Sequence, residues 1–233
     1  MMKEQITEIF DIINDTEDFI KGGWRKEHEK ITLKEKCVMP IGKVSTDSIE
    51  KLVSEINCCE LCELCQRRNN PVPGAGALNP SVMFIGEGPG AEEDRTGIPF
   101  VGAAGQYLDK WLSAIHLDRE KDCYIGNIIK CRPPGNRDPY PDEIAACKPF
   151  LIRQLTLLKP KMIITLGRFA AQFICNSQDG IGRLRGRVHY YEGIPVVPTY
   201  HPSAVLRNPE YRKPVWDDLK QARELLDDIE SGR

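Results

Sequence analysis

Short apolar runs alternate with longer amphipathic stretches through most of this chain, and together they predict alternating strands and helices. The predicted strands occupy residues 82–85, 124–128 and 162–166, with a hairpin over residues 188–197. The predicted helices occupy residues 103–115, 142–158 and 216–228, where apolar side chains recur at helical spacing. Strands that alternate with helices in this way indicate a parallel sheet covered by helices on both faces.

The first 56 residues are predicted to form a separate helical extension. Apolar residues recur at helical spacing over residues 4–20, and Gly22 and Gly23 end that run. A second amphipathic helix is predicted over residues 47–56, after a cluster of helix-capping residues. We therefore expect an N-terminal extension of residues 1–56 and a main domain of residues 57–233.

Charge and composition exclude some classes of protein. The 233 residues include 32 basic and 34 acidic side chains, so the chain as a whole has no attraction for nucleic acid and would need a local basic surface to bind it. No long apolar segment is present, and the N-terminus resembles neither a signal peptide nor a transit peptide. The composition predicts an intracellular, cytoplasmic protein without membrane association, and we expect a monomer.

A glycine-rich loop follows the first predicted strand and reads GEGPGAEEDRTGIPF over residues 86–100. Glycines after a strand let a ligand approach the backbone closely, as in phosphate-binding loops. Here, however, four carboxylates surround the start of the next helix, and they would repel a phosphate. They belong to Glu87, Glu92, Glu93 and Asp94. The loop is better suited to an uncharged planar ligand.

Three residue types at successive strand ends are suited to a nucleobase. Phe100 ends the glycine-rich loop, Asn127 ends the next strand, and His201 follows the last strand of the hairpin. In a parallel sheet these ends meet at one edge. An aromatic face, an amide that both donates and accepts, and an imidazole are able to stack on a base and bind its edge.

The cysteines suggest a metal site. Four of the nine lie in the segment CCELCELC at residues 58–65, and Cys131 and Cys147 follow much later. The close pair is either Cys59 with Cys62 or Cys62 with Cys65. One close pair with two distant single cysteines is more typical of an iron-sulfur cluster than of a zinc ribbon, which has a second close pair. A zinc half-site or buried thiols remain alternatives on spacing alone.

Longer motifs resemble a known family. The segments GEGPGAEEDRTGIPFVGAAGQYLD, YIGNIIKCRPPGNRDPYPDEIAAC, ITLGRFAAQF and YHPSAVLRNP are similar to those of the family 4 uracil-DNA glycosylases, over residues 56–226. The resemblance implies a three-layer α/β/α sandwich around a central four-stranded parallel sheet. It also implies hydrolysis of the N-glycosidic bond of uracil in single- and double-stranded DNA, which leaves an abasic site for repair.

The resemblance also implies a 4Fe-4S cluster. Matching the family pattern assigns the ligands to Cys59, Cys62, Cys131 and Cys147. Cys65, like Cys58 beside the first pair, departs from that pattern and leaves a ligand exchange or a second role open. We expect the cluster to join distant segments rather than to act in redox catalysis, because hydrolysis requires no electron transfer.

The roles in the pocket follow from the same match. The residues implied to bind uracil are Gly86, Glu87, Gly88, Phe100, Asn127 and His201. His201 is expected to stabilise the leaving base, and Glu87 to stabilise the sugar cation or orient the water. Glu93 and Asn136 are candidates for support or for a second water position. Other uracil glycosylases carry an aspartate where Gly88 stands, so the group that activates water is left unassigned.

DNA contact is expected through the segment after His201. Ser203, Leu206 and Arg207 match the part that family members press into the minor groove, with an apolar side chain as a wedge. Two other classes of function compete with the glycosylase. An iron-sulfur electron carrier leaves Asn127 and His201 unexplained, and a non-catalytic uracil-DNA binder leaves the intact Glu87 unexplained.

Overall fold

The computed structural model describes residues 47–232, which are built around one sheet of six strands. In chain order the strands are β1 (Ala75–Gly76), β2 (Val82–Gly86), β3 (Cys123–Asn127), β4 (Met162–Leu166), β5 (His189–Tyr191) and β6 (Ile194–Thr199). Their order across the sheet is β1-β3-β2-β4-β6-β5. The four inner strands are parallel, and the two edge strands are antiparallel to their neighbours. The predicted four-stranded parallel centre is confirmed.

Helices cover both faces of this sheet. They are α1 (Ile49–Asn57), α2 (Ala91–Thr96), α3 (Ala103–Ala114), α4 (Pro141–Leu158), α5 (Arg168–Ile174), α6 (Ile181–Leu184), α7 (Pro202–Arg207) and α8 (Arg212–Ser231). Short 3-10 helices occupy Glu63–Gln66, Pro134–Asn136 and Pro209–Tyr211. The main helices of the sequence pattern are present, although α8 begins four residues before its predicted start.

The alternation of side chains along β2 separates two hydrophobic cores, because successive residues of a strand point to opposite faces. Val82 and Phe84 pack in a core with α3 and α8. Met83 and Ile85 pack in the other core with α1, α4 and α5. All four side chains are fully buried, as in strands of a parallel sheet covered on both faces. The result is the predicted three-layer sandwich.

Helix α1 packs against this domain. Ser48 begins the helix, since its hydroxyl accepts a hydrogen bond from the Lys51 backbone N–H at 3.2 Å. Leu52 is fully buried in the core shared with α4, and Arg153 of α4 forms an ion pair with Asp47 at 2.6 Å. The second predicted helix is therefore confirmed. The first predicted helix, over residues 4–20, lies outside the described residues, and the domain boundary at residue 56 stays a prediction.

Three of the short elements have no periodic signal in the sequence. Strand β1 has only two residues, and helix α7 begins with a proline inside a segment that resembles a loop. Helix α2 lies within the glycine-rich loop, where charged residues obscure any apolar face. Among residues 47–232 no helix combines the length and the apolar character needed to cross a membrane. The monomeric state and the intracellular location stay predictions.

Candidate functional site

The carboxyl ends of the inner parallel strands surround a pocket of about 460 Å³. Nine of the predicted site residues line it: Glu87, Gly88, Glu93, Phe100, Asn127, Asn136, His201, Ser203 and Arg207. A pocket at this edge is where ligands bind to open α/β sheets. The structure thus brings together residues that are more than one hundred positions apart in the chain.

Asn127 lies at the end of β3 and is 1% exposed. Its side-chain oxygen Oδ1 is buried and has no hydrogen-bond partner. Gly86 makes room for this amide, because a Cβ atom there would lie 2.4 Å from Oδ1 and 2.7 Å from Cζ of Phe100. An unpaired buried acceptor is costly in a folded protein, and it indicates a place where a ligand donor is expected.

Phe100 forms an aromatic wall of the pocket. Its backbone has φ of 53°, a left-handed conformation that is uncommon outside glycine and asparagine. The side chain is 6% exposed, and its ring centroid lies 5.6 Å from that of His201 at an interplanar angle of 36°. Because the ring is already packed, a flat ligand meets a surface that is fixed before binding.

His201 is held in one tautomer by the chain that follows it. The backbone N–H of Ser203 donates to Nδ1 of His201 at 3.2 Å, so Nδ1 is the acceptor and the neutral ring carries its proton on Nε2. Burial and, to a smaller extent, the positive charge of Arg207 lower the pKa of His201 to about 4, and the charge of Glu93 opposes this shift. At neutral pH the imidazole is therefore an uncharged N–H donor beside the pocket.

Glu87 is the carboxylate whose environment is least favourable to its charge. Burial raises the pKa of Glu87 to about 7, and the nearby Asp138 adds to the rise while Arg168 opposes it. A carboxyl group with such a pKa changes charge near neutral pH. The group is therefore suited to hold either a proton or a negative charge during a reaction.

Glu93 has a different environment from Glu87. Its Oε1 accepts hydrogen bonds from the backbone N–H groups of Val101 and Gly102, both at 2.9 Å, and its Oε2 accepts one from Gly90 at 3.1 Å. These three bonds fix the loop that carries Phe100. Asn136 also lines the pocket, and its Oδ1 accepts from Nε of Arg132 at 2.7 Å.

Gly88 has little space for a side chain. A Cβ atom at this position would lie 2.7 Å from Cγ1 of Ile129, a residue that is 1% exposed. An aspartate fits at Gly88 only if Ile129 moves. The packing therefore gives a physical reason why this chain has no carboxylate at that position.

Helix α7 follows His201 at the mouth of the pocket. Ser203 and Arg207 line the pocket, whereas Leu206 is 45% exposed and points away from the core. The charged residues Asp138 and Arg168 also line the pocket and were not singled out in the sequence. Asp138 belongs to the proline-rich loop before α4, and Arg168 follows β4 after Gly167. The rule that strand ends converge could have identified Arg168.

The cysteines come together in a second pocket. Cys59, Cys62, Cys131 and Cys147 line it together with Cys65. Their thiols are free, and Cys131 and Cys147 are the most buried of the five. In residues 47–232 no group of three or more His, Cys, Asp or Glu side chains has the spacing of ligands around a single metal ion. The predicted ligand set thus shares one pocket, and the cluster itself stays a prediction.

Two N–H groups already donate to sulfur in this cysteine pocket. Arg68 donates from a guanidinium nitrogen to Sγ of Cys131 at 3.1 Å, and the backbone N–H of Lys130 donates to Sγ of Cys147 at 3.3 Å. Hydrogen bonds to ligand sulfur are typical of iron-sulfur sites, where they stabilise thiolate charge. The set of donors and thiols fits such a group.

Comparisons with known proteins agree with the geometry. The model of the uracil DNA glycosylase superfamily matches residues 73–220. A type-4 uracil-DNA glycosylase of Archaeoglobus fulgidus is 45% identical over 187 residues, which are 77% of this chain and 94% of that protein. Those of Sulfurisphaera tokodaii (45%) and Thermotoga maritima (42%) each also match 77% of this chain, and 85% and 96% of their own lengths. The chain therefore belongs to the type-4 uracil-DNA glycosylases within that superfamily.

Proposed function

We propose that this protein removes uracil from DNA by hydrolysing the bond between uracil N1 and the deoxyribose C1′. The observation that carries the proposal is the unpaired Oδ1 of Asn127, a residue that lines the same pocket as the neutral donor His201. Uracil offers an N3–H group to Oδ1, and its O4 accepts from the Asn127 amide nitrogen. Cytosine has the opposite pattern at this edge and would leave buried groups unpaired, a difference worth a discrimination of about 10⁴ or more.

A base inside a duplex has to leave the stack before it reaches this pocket. Flipping costs a few kcal/mol, and the cost is lowest when the base is mispaired or already single-stranded. Stacking on Phe100 returns about 1–3 kcal/mol for any base. The exposed Leu206 is placed to fill the space that the base vacates, while Ser203 and Arg207 contact the DNA backbone.

Bond cleavage places negative charge on the uracil and positive charge on the sugar. In our proposal the N1–C1′ electron pair leaves with uracil, and Nε2–H of His201 donates to the O2 atom where the charge develops. A water oxygen then bonds to C1′. The carboxylate of Glu87 stabilises the cation, in which case the proton of that water passes to solvent, or takes that proton itself. The uracil anion gains one proton from solvent, so free uracil and an abasic site result. Glu93 contributes indirectly, through the loop that its hydrogen bonds hold in place.

The cysteine pocket is proposed to hold a 4Fe-4S cluster on Cys59, Cys62, Cys131 and Cys147. The shared pocket and the two N–H donors to sulfur support this assignment. Such a cluster would supply metal-sulfur bonds that join the segment before β1 to the chain after β3 and to α4.

Oligonucleotides with a single uracil test the proposal. We expect the purified protein to produce an alkali-labile site at that uracil in both single strands and duplexes, and none where cytosine or thymine replaces it. Intact protein that binds the uracil duplex but never releases the base would support the non-catalytic alternative instead.

A further inference from the structure

The carbonyl of Asn127 lacks the partner that its place in the sheet requires. Ala75 of β1 lies opposite Ile125, and Gly76 lies opposite Tyr124. Continued by two residues beyond Ala75, this antiparallel register places Pro73 opposite Asn127. Proline has no N–H, so it has nothing to donate to the Asn127 carbonyl. A buried carbonyl without a donor is unfavourable, and here it belongs to the residue proposed to bind uracil.

A buried lysine takes the place of the missing donor. Nζ of Lys130 donates to the Asn127 carbonyl at 2.6 Å and to Oε1 of Gln154 at 2.7 Å. The amide nitrogen of Gln154 then donates to the carbonyl of Pro73 at 2.7 Å and to the Tyr124 hydroxyl at 3.2 Å. Lys130 and Gln154 thus connect β3 and the chain before β1 at the position where Pro73 prevents a backbone hydrogen bond. The backbone connection resumes one residue earlier, where the Val72 N–H donates to the Lys130 carbonyl at 2.7 Å.

The bridge is fully enclosed. Lys130 is 1% exposed and Gln154 is 0% exposed. Lysine is almost never buried unless its ammonium group is paired, because removal of the charge from water is costly. If apolar side chains replaced Lys130 and Gln154, the carbonyls of Asn127 and Pro73 would have no donors. The arrangement therefore indicates that the lysine is required here as a hydrogen-bond donor.

We propose that Lys130 is a positioning residue for uracil recognition, which it serves by fixing the Asn127 peptide and hence the direction of the Asn127 amide. This inference rests on the proposed function of Asn127. The same short segment also connects the two pockets, because the Lys130 N–H donates to Cys147 and the next residue is Cys131. Lys130 itself touches no substrate.

The test is a double-mutant cycle between Lys130 and Asn127, measured as single-turnover uracil release from a duplex at saturating enzyme. Lys130→Met keeps the length of the side chain and removes the donor. We expect it to slow release about 10- to 100-fold, the usual effect of a small misplacement in an active site. In an Asn127→Ala background the same change is expected to alter the rate less than about twofold, since the amide to be positioned is gone.

Three controls separate positioning from a general loss of structure. Lys148→Met removes an exposed lysine of α4, the helix that carries Gln154; its Nζ lies 5.8 Å from the Phe173 ring centroid, and the change should leave the rate unchanged. The affinity of Lys130→Met for DNA with an abasic site should match that of the unsubstituted protein, since no base is present to be recognised. Its visible cluster absorption should also persist.

Equal slowing by Lys130→Met in both backgrounds overturns the inference, and so does no slowing in either. If Lys130→Met does not fold, Gln154→Met breaks the same bridge from its other end and is subject to the same two criteria. An unsubstituted protein that folds, shows the cluster absorption and releases no uracil would instead refute the proposed function.

Discussion

The pocket at the strand ends and the cysteine pocket differ in how their polar groups are satisfied. In the first, Oδ1 of Asn127 has no partner, and burial raises the pKa of Glu87 to about 7. In the second, the sulfur atoms of Cys131 and Cys147 already accept hydrogen bonds from nitrogen. The first pocket has a polar group left open for a ligand, whereas in the second both of these sulfur atoms already have donors from the protein.

Burial shifts pKa values in opposite directions in these two pockets. It raises the pKa of Cys147 to about 11, so a thiolate there needs a positive charge such as iron beside it. Together with a smaller effect of the positive charge of Arg207, it lowers the pKa of His201 to about 4, which keeps the imidazole neutral. The difference indicates that the strand-end pocket is formed by the fold alone, while we expect the cysteine pocket to depend on the proposed cluster.

The largest expected effect tests that dependence. Cys147→Ser should abolish the visible absorption of the cluster, because it removes a buried thiol of the proposed ligand set. Absorption spectra of the purified variants measure this. Cys65→Ser is the matched control, since Cys65 lines the same pocket outside the proposed ligand set, and it should keep the absorption. Loss in Cys65→Ser together with retention in Cys59→Ser would move the ligand pair to Cys62 and Cys65.

The second-largest expected effect is a loss of catalysis in the strand-end pocket. His201→Ala should lower kcat about 10²- to 10³-fold, since it removes a donor aimed at the developing charge on uracil. Affinity for abasic DNA and cluster absorption should be unchanged. Ser203→Ala is the matched control, because it removes the hydroxyl 2.8 Å from Nδ1 of His201 but keeps the backbone N–H that sets the tautomer. Similar losses in both variants would mean that orientation, not donation, limits the rate.

Substitution of Phe100 should slow the reaction less than substitution of His201. Phe100→Leu removes the stacking surface, which is worth about 1–3 kcal/mol, and should lower kcat/KM by about 5- to 150-fold. The preference for uracil over cytosine should persist, because stacking does not distinguish one base from another. Competition kinetics with the two bases in matched oligonucleotides measure both quantities. A marked loss of preference would show that Phe100 also orients the base edge against Asn127.

The strand-end pocket was largely predictable from the sequence. Asn127 and His201 follow strands of a parallel sheet, and such ends converge whatever the intervening loops do. The hydrogen bonds of Glu93 were not predictable, because they depend on how the loop after α2 folds back over its start. The spacing of cysteines alone left two close pairs open, and all three members, Cys59, Cys62 and Cys65, line the pocket.

Lys130 shows the limit of such reasoning most clearly. A single lysine after an apolar strand is typical of the protein surface, yet this one is 1% exposed. Its partner Gln154 lies in α4, and the need for a donor arises from Pro73, which precedes an edge strand too short to be predicted. Contacts among three distant segments leave no periodic pattern in the sequence, so only the fold reveals them.

The smallest expected effect concerns pH and Glu87. With a pKa of about 7, Glu87 is mostly neutral at pH 6 and mostly ionised at pH 8, so a reaction that needs its carboxylate should accelerate about tenfold over that range. His201 does not contribute to this rise, because with a pKa near 4 it is neutral throughout. Single-turnover rates of uracil release, measured from about pH 5.5 to about 8.5, cover the titration of Glu87 and provide the test.

Two substitutions identify the group whose titration makes the rate rise with pH. Glu87→Gln should remove it and leave a slow rate that is independent of pH, with a loss of about tenfold at pH 8. Asp138→Asn should keep the rise but shift its midpoint to lower pH, because the charge of Asp138 contributes to the raised pKa of Glu87. A midpoint that stays in place in both variants would assign the titration to another group. The strand-end pocket would then bind and stabilise the leaving base without supplying the carboxylate that acts on the sugar or on water.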